Sequence, residues 1–141
     1  MREKSTGDLS NELMGKADLN TYLKRNRTYF RDPKMMDLLD ILYQKNPIPK
    51  AELARQAGMS EVYLHQILSG RRKPSRDRLL CICIGLDATL DETQDLLKQA
   101  VYAQLYPKHK RDVIISYGIV HHMGLQAIND KLFDENEKTL F

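Results

Sequence analysis

The residues whose types and spacing could do chemistry lie between Lys50 and Pro74. Two short helices are predicted there, over 50–57 and 60–68, and Gly58 supplies the backbone freedom for the turn between them. The second helix carries polar side chains and ends at Gly70, and a cationic run follows at residues 71–73. Such a helix matches the edges of base pairs in the major groove of DNA, and the cations match phosphates.

The distribution of charge agrees with this interpretation. The whole chain carries a formal charge of only +3, but residues 47–80 contain seven basic and three acidic residues. Residues 81–141 contain six basic and nine acidic residues. Basic residues concentrated in one segment are what phosphate binding requires, although an ordinary solvated surface would show the same run.

Apolar residues recur at helical spacing throughout and no alternation of period two is found, so the predicted fold class is all-α. The pattern predicts a helical core over 33–106, an N-terminal arm with a short helix over 1–32, and a C-terminal helical extension over 107–141. Residues 1–11 are polar and are expected to fray. Caps and prolines predict helix starts after Asp18, at Asp32-Pro33, and after Ser60, Ser75 and Thr89.

The stretch from Lys50 to Leu80 resembles the helix-turn-helix of the Xre/Cro-type regulators, which include the phage repressors. The run Ile67-Leu-Ser-Gly-Arg-Arg-Lys-Pro-Ser-Arg-Asp-Arg-Leu-Leu follows that family in its order of recognition helix, glycine, basic loop, proline and next helix. The resemblance covers about residues 34–100. It implies a five-helix repressor-like core that binds double-stranded DNA as a homodimer on a palindromic operator.

The resemblance also implies which residues touch DNA. Base contacts fall to Gln66, which can pair with adenine, to Val62, which can touch a thymine methyl, and to Glu61, which can accept from cytosine. Phosphate contacts fall to two residues of the same helix, to the start of the preceding helix and to the basic loop: Ser60, Tyr63, Lys50, Arg71, Arg72 and Lys73.

Two features leave a second interpretation open. Glu61 places an acid at a reading position, and the extension is acidic, so the chain could be a protein-interaction adaptor that keeps this fold without binding DNA. Arg76 and Arg78 could likewise pair with Asp77 or Glu52 rather than with a partner.

The C-terminal residues have no role assigned by the resemblance. The last helix of the core is expected to run from Thr89 to about Leu105, with Val101 in its apolar stripe. Two further helices are predicted over about 108–122 and 125–136, with a turn at Gly124. Their apolar stripes and the end of the chain are expected to pack on the core or to form a dimer or partner surface, through Val113, Ile114, Tyr117, Val120, Ile128, Leu132, Phe133, Leu140 and Phe141.

Other classes of function find no support in the sequence. No apolar run is long enough to span a membrane and no secretory signal is found, so a cytoplasmic protein is expected. Cys81 and Cys83 are expected to be buried thiols. His121 and His122 diverge around a helix, so no metal site is expected. The absence of a nucleophile–base arrangement or a phosphate loop predicts neither an enzyme nor a cofactor.

Overall fold

The chain folds into α-helices. A computed structural model describes residues 3–13, 15, 18–26 and 33–141, and within these ranges it contains helices and no strand, which confirms the all-α fold class. None of the helices in these ranges combines the length and the apolar character needed to cross a bilayer. Their bounds are α1 Thr6–Leu13, α2 Leu19–Arg25, α3 Pro33–Lys45, α4 Lys50–Gln56, α5 Glu61–Leu68, α6 Arg76–Gly85, α7 Leu90–Gln99, α8 Lys110–Val120 and α9 Leu125–Asp134.

The helices divide into two units, residues 1–31 and residues 32–141. In the first unit two reciprocal hydrogen bonds cap the N-terminus of α1: Ser5 N–H donates to Asp8 Oδ2 (3.0 Å) and Asp8 N–H donates to Ser5 Oγ (3.1 Å). In the same unit the buried side chain of Tyr22 donates its hydroxyl to the Leu9 carbonyl (3.4 Å). The expectation that residues 1–11 fray is therefore wrong from Thr6 onward, and the serine–aspartate spacing was the signal for a helix start.

The second unit has one apolar core, which α3 to α9 all share. α3 begins at Pro33 as predicted, and Asp32 lies outside the described residues. α3 ends before Asn46-Pro47, where Tyr43 donates its hydroxyl to the Ile48 carbonyl (2.6 Å). The largest fully buried side chains come from seven helices: Leu39, Leu53, Leu64, Ile67, Leu79, Leu80, Ile82, Leu96, Leu97, Ile115, Ile128 and Leu132.

The predicted helix caps are confirmed. The side chains of Asp18, Ser60, Ser75 and Thr89 each accept a hydrogen bond from the backbone N–H three residues later. At Thr89 the hydrogen bonds are reciprocal and form a capping box, because Glu92 Oε1 also accepts from the Thr89 N–H (2.9 Å). This hydrogen bond, and the Lys45 ammonium 2.9 Å from Glu92 Oε2, lower the pKa of Glu92 below its ordinary value of 4.5.

α7 is shorter than predicted. It ends at Gln99 rather than near Leu105, because Val101 adopts the left-handed conformation (φ 61°) and reverses the chain. Val101 is 85 % exposed and lies outside the apolar stripe. Leu105 is buried although it is not helical, since Gln94 holds its backbone N–H (2.7 Å) and carbonyl (2.9 Å).

α8 and α9 pack against each other with little space between them. Gly118 lies where they meet, and a Cβ at this position would overlap the side chain of Ile128. The turn between them is reversed by His122 (φ 55°) and not by Gly124, which has φ −71° and is the N-cap of α9. The inward side of α8 is Ile115 and Ile119, with Ile114 partly buried. Val113, Tyr117, Val120 and Phe133 are exposed, so of the two expected roles they do not pack on the core, and a role in a dimer or partner surface stays a prediction.

Two ion pairs of opposite polarity join the starts of α6 and α8. The Arg76 guanidinium contacts both Asp112 oxygens (3.2 and 3.3 Å), and Arg111 contacts both Asp77 oxygens (3.0 Å each). Arg111 also donates to the carbonyls of Lys138 (2.8 Å) and of the next residue. The expectation that Arg76 pairs with Asp77 or Glu52 is wrong, since each acid and each base of these pairs finds its partner across the two helices.

The two cysteines are buried thiols, as predicted. Cys81 and Cys83 are unpaired with each other and lie on α6 among the core residues. Burial raises the pKa of Cys81 to about 11 and that of Cys83 to about 12, so both remain protonated and unreactive at neutral pH.

The depressed pKa of Glu92 predicts a pH-dependent contribution to stability. It is fully present above pH 4.5, where the carboxyl is ionised even in the unfolded chain, and is lost as the pH falls through the lower folded value. We expect Glu92→Gln, which keeps an acceptor at the cap, to lower the free energy of unfolding at pH 7 by up to about 1 kcal/mol. Lys45→Gln should show part of this loss. Urea unfolding from pH 7 to pH 3 checks this, and a difference from wild type that does not shrink toward pH 3 would contradict it.

Candidate nucleic-acid interface

α4 and α5 are fixed to each other by their buried faces. Between them the chain turns at Gly58 (φ 64°), whose N–H donates to the Arg55 carbonyl (3.2 Å), and the N–H of Met59 donates to Ala54 (3.0 Å). This is the turn predicted from the glycine. The side chains that lock the pair are fully or almost fully buried: Leu53, Ala54, Ala57, Leu64 and Ile67.

The end of the chain lies against this turn. A Cβ on Gly58 would lie 3.1 Å from Leu125 of α9 and 3.1 Å from the ring of Phe141. Leu140 is buried and its N–H donates to Asn129 Oδ1 (2.7 Å), whereas half of Phe141 remains exposed. The extension therefore lies against the turn that joins α4 to α5.

The outer side of α5 is a polar stripe open to solvent. The hydroxyl of Ser60 accepts from the Tyr63 N–H (3.1 Å) and starts the helix. Val62 is the largest apolar side chain on the stripe and is 69 % exposed, and Gln66 lies at its edge, partly buried. We call the exposed residues the α5 stripe: Glu61, Val62, His65 and Ser69.

The basic loop folds back over the last turn of α5. Gly70 (φ 80°) reverses the chain, and the N–H groups of Arg71 and Arg72 both donate to the Gln66 carbonyl (2.9 and 3.1 Å). The Arg72 guanidinium lies 5.9 Å from the centre of the Tyr63 ring, a distance typical of cation–π contact. The two exposed arginines thus lie beside the helix that carries the α5 stripe.

Lys73, the third cation of the loop, is exposed like the two arginines, but its ammonium is hydrogen-bonded to the protein itself. Its ammonium donates to the Ala100 carbonyl (2.7 Å) at the end of α7 and lies 5.0 Å from the centre of the Tyr102 ring. The Tyr102 hydroxyl donates to the Pro74 carbonyl (2.6 Å). Lys73 therefore holds the loop in place, a role that the sequence did not indicate.

The other basic side chains of α4 and α6 differ in whether they are free to contact a phosphate. Lys50 is exposed at the first position of α4 and lines a crevice with Leu68 of α5, so it lies near the end of the α5 helix. Arg78 donates to the Gly58 carbonyl (3.4 Å) in the turn, which corrects the expectation that it pairs with an acid. Glu52 instead lies 3.7 Å from Arg55, on the same helix.

His65 is a candidate contact that the sequence analysis missed. It lies in the middle of the α5 stripe, one turn after Glu61 and Val62. Its spacing of four residues from Glu61 was available as a signal, since residues four apart share a helix face. No three metal-binding side chains come together in the part of the chain that is described.

These features are a short helix pair with a glycine turn, an exposed polar face and a cationic loop. Residues 48–96 match the family model of a helix-turn-helix domain. The match covers about a third of the chain, from just before α4 to within α7. Comparison with curated proteins and with solved structures found no match.

Within the stretch that matches the helix-turn-helix model α4 comes first and α5 second, which is the order of the supporting and recognition helices in domains of this class. Domains of this class typically bind DNA and carry no catalytic site. Of the nine residues that the sequence proposed as contacts, Lys50 lies at the start of α4 and Ser60 and Tyr63 at the start of α5, and the other six fall into three groups. Glu61 and Val62 are on the α5 stripe with Gln66 at its edge, Arg71 and Arg72 are exposed beside it, and Lys73 is held by α7.

The glycine that ends α5 gives a test of how this helix is held. We expect Gly70→Ala to lower the free energy of unfolding by about 1–2 kcal/mol, because alanine is strained at φ 80°. The new methyl also meets the Met36 thioether, which must move away. Gly124→Ala is the matched control, since φ is −71° there and no atom lies within 4 Å of the added Cβ. Equal stability losses in urea unfolding would contradict the argument.

Proposed function

We propose that this chain is a sequence-specific transcriptional regulator of the Xre/Cro type, which inserts α5 into the major groove of double-stranded DNA. One observation carries the proposal: an exposed polar stripe and two exposed arginines lie on the same short helix and its returning loop. The stripe offers groups that can distinguish base pairs, and the arginines offer charge that any phosphate attracts. Such a regulator would act in the cytoplasm, and the reaction would be binding without catalysis or cofactor.

The base contacts are proposed for the first two turns of α5. Val62 presents a methyl-bearing side chain suited to the thymine methyl, and Gln66 can donate to and accept from one adenine edge. Glu61 can accept only, so it favours the amino group of cytosine and disfavours an oxygen at the same place. His65 is an added candidate, with one donor and one acceptor in its neutral form.

The phosphate contacts are proposed for residues near the two ends of α5. Ser60 and Tyr63 lie at its start, Lys50 and the loop at its end. Arg71 and Arg72 have exposed guanidinium groups, and the Arg72 group is already oriented by Tyr63. Lys73 contacts the Ala100 carbonyl, so we expect it to add less to binding than either arginine.

The division between base and phosphate contacts can be measured with DNA fragments selected from random duplex. We expect Gln66→Ala to weaken binding to the selected sequence by about 1–3 kcal/mol and to leave binding to random duplex nearly unchanged. Arg72→Ala should weaken both alike and reduce the slope of log K against log salt by about 1. Arg55→Ala is the control, an exposed arginine that pairs with Glu52. Fluorescence anisotropy at four salt concentrations gives these values, and equal behaviour of the first two variants rejects the division.

The alternative role as a protein-interaction adaptor is separated by a simpler measurement. At low salt the regulator should bind a random duplex of about 20 base pairs, because the sequence-independent term comes from Arg71, Arg72 and Lys50. A triple variant with alanine at these positions should lose this binding and keep the helical circular dichroism spectrum, since all three side chains are exposed. Wild-type protein that binds no duplex at low salt would favour the adaptor.

A further inference from the structure

Lys138 is an exposed cation whose backbone is held in place by the fold. The Arg111 guanidinium donates to the Lys138 carbonyl (2.8 Å) and to the Thr139 carbonyl (3.3 Å). The N–H of the buried Leu140 donates to Asn129 Oδ1 (2.7 Å). The side chain of Lys138 is nevertheless 82 % exposed. The fold therefore fixes the point from which this ammonium extends and leaves the ammonium open to a partner.

The ammonium of Lys138 lies at the start of α6. Its nitrogen is 4.0 Å from Asp77 Oδ2, and both oxygens of that carboxylate already accept from Arg111 at 3.0 Å. Arg78, the next residue of α6, contacts the neutral carbonyl of Gly58 (3.4 Å) and no carboxylate within the described part of the chain. One carboxylate therefore lies among three cations, and the start of α6 carries an excess of positive charge.

The start of α6 lies beside the start of α5. The basic loop runs back along α5, because the Arg72 N–H donates to the Gln66 carbonyl (3.1 Å) while its guanidinium lies beside Tyr63, almost one turn nearer the start of the helix. Arg78 then contacts the carbonyl of Gly58, two residues before the N-cap of α5. The cations that accompany α5 from its last turn to its first are therefore Arg71, Arg72, Arg78 and Lys138.

This row of cations suits one strand of a duplex. α5 is about 12 Å long, and each strand carries a phosphate for about every 3.4 Å of the duplex axis, so a strand alongside the helix offers about three or four phosphates. Arg71 and Arg72 are placed for those near the end of α5. The contacts proposed above for its start, Ser60 and Tyr63, are uncharged. A phosphate at that end therefore lacks a cation from α5 or the basic loop.

We propose that Lys138 supplies this cation and binds a DNA phosphate beside the start of α5, with Arg78 next to it. The inference rests on the proposed function and gives the C-terminal extension a part in the same interface. Arg111 is a positioning residue, because it holds the Lys138 carbonyl and neutralises Asp77, which would otherwise repel the phosphate. An ammonium on a flexible stem acts as a point charge, so Lys138 adds affinity for any sequence and selects none.

The salt dependence of duplex binding tests the contact. We expect Lys138→Gln to weaken binding to selected and random duplex alike and to lower the slope of log K against log salt by about 0.9, the effect of one phosphate. The affinity lost between about 50 and 200 mM salt then becomes roughly three- to four-fold smaller. Lys138→Arg retains the charge and should retain the slope. Lys131→Gln is the matched control, an exposed lysine of α9 that pairs with Glu135 (3.4 Å), and its slope should equal that of wild type.

The results for this contact and for the proposed function can be told apart. A Lys138→Gln protein that keeps the wild-type slope, while Arg72→Ala lowers it, overturns the contact and leaves the function standing. A Lys138→Arg protein that loses as much slope as Lys138→Gln also overturns the contact. Wild-type protein that binds no duplex at low salt overturns both. Urea unfolding of Lys138→Gln should match wild type, because the hydrogen bonds that hold residues 138–140 do not use this side chain.

Thiol crosslinking tests where the phosphate lies. The selected duplex is made with a disulfide-activated tether on one backbone phosphate, and the tether position is varied. The thiolate introduced by Lys138→Cys should attack the tether disulfide, form a protein–DNA disulfide and release the small activating thiol. Lys131→Cys is the control, and wild type, with buried Cys81 and Cys83, is the blank. Failure of every tether position to trap Lys138→Cys above Lys131→Cys overturns the contact.

Discussion

α5 has eight residues, which is too short for a helix to be stable alone in water. It stays helical because Leu64 and Ile67 are completely buried against the rest of the second unit. That burial fixes the rotation of the helix about its axis. The side that faces outward is then determined, and with it the residues that can meet a partner. The orientation of the α5 stripe toward solvent depends on these two side chains.

The features of the fold that depend on neighbouring residues were predictable. Ser60 and Thr89 cap helices, and Gly58 and Gly70 turn the chain, because each acts through hydrogen bonds or backbone angles within a few positions. The predicted end of α7 was wrong because of Val101. It adopts a left-handed angle that its side chain disfavours, and only the surrounding structure can impose that angle.

In the candidate site, too, the features set by nearby residues were predictable and those set by distant residues were not. The stripe itself followed from helical spacing, although His65 was overlooked on it. The hydrogen bond of Lys73 could not be predicted from the sequence, because its acceptor is the carbonyl of Ala100, 27 residues away. The end of α7, where Ala100 lies, was itself predicted at the wrong residue. The partner of Arg76 is 36 residues away, and nothing in the sequence ranks Asp112 above the acids nearby.

The crossed ion pairs between α6 and α8 and the arginines of the basic loop carry the same chemical group in different surroundings. About four fifths of the Arg76 and Arg111 side chains is shielded from solvent, whereas Arg71 and Arg72 lie open to it. At physiological ionic strength dissolved ions screen the field of an exposed charge beyond a Debye length of about 8 Å, and they screen shielded pairs much less. Moderate salt should therefore weaken the electrostatic attraction of the exposed arginines for a polyanion while the shielded ion pairs persist. Attraction to a polyanion and stability of the fold should then respond to different ranges of ionic strength.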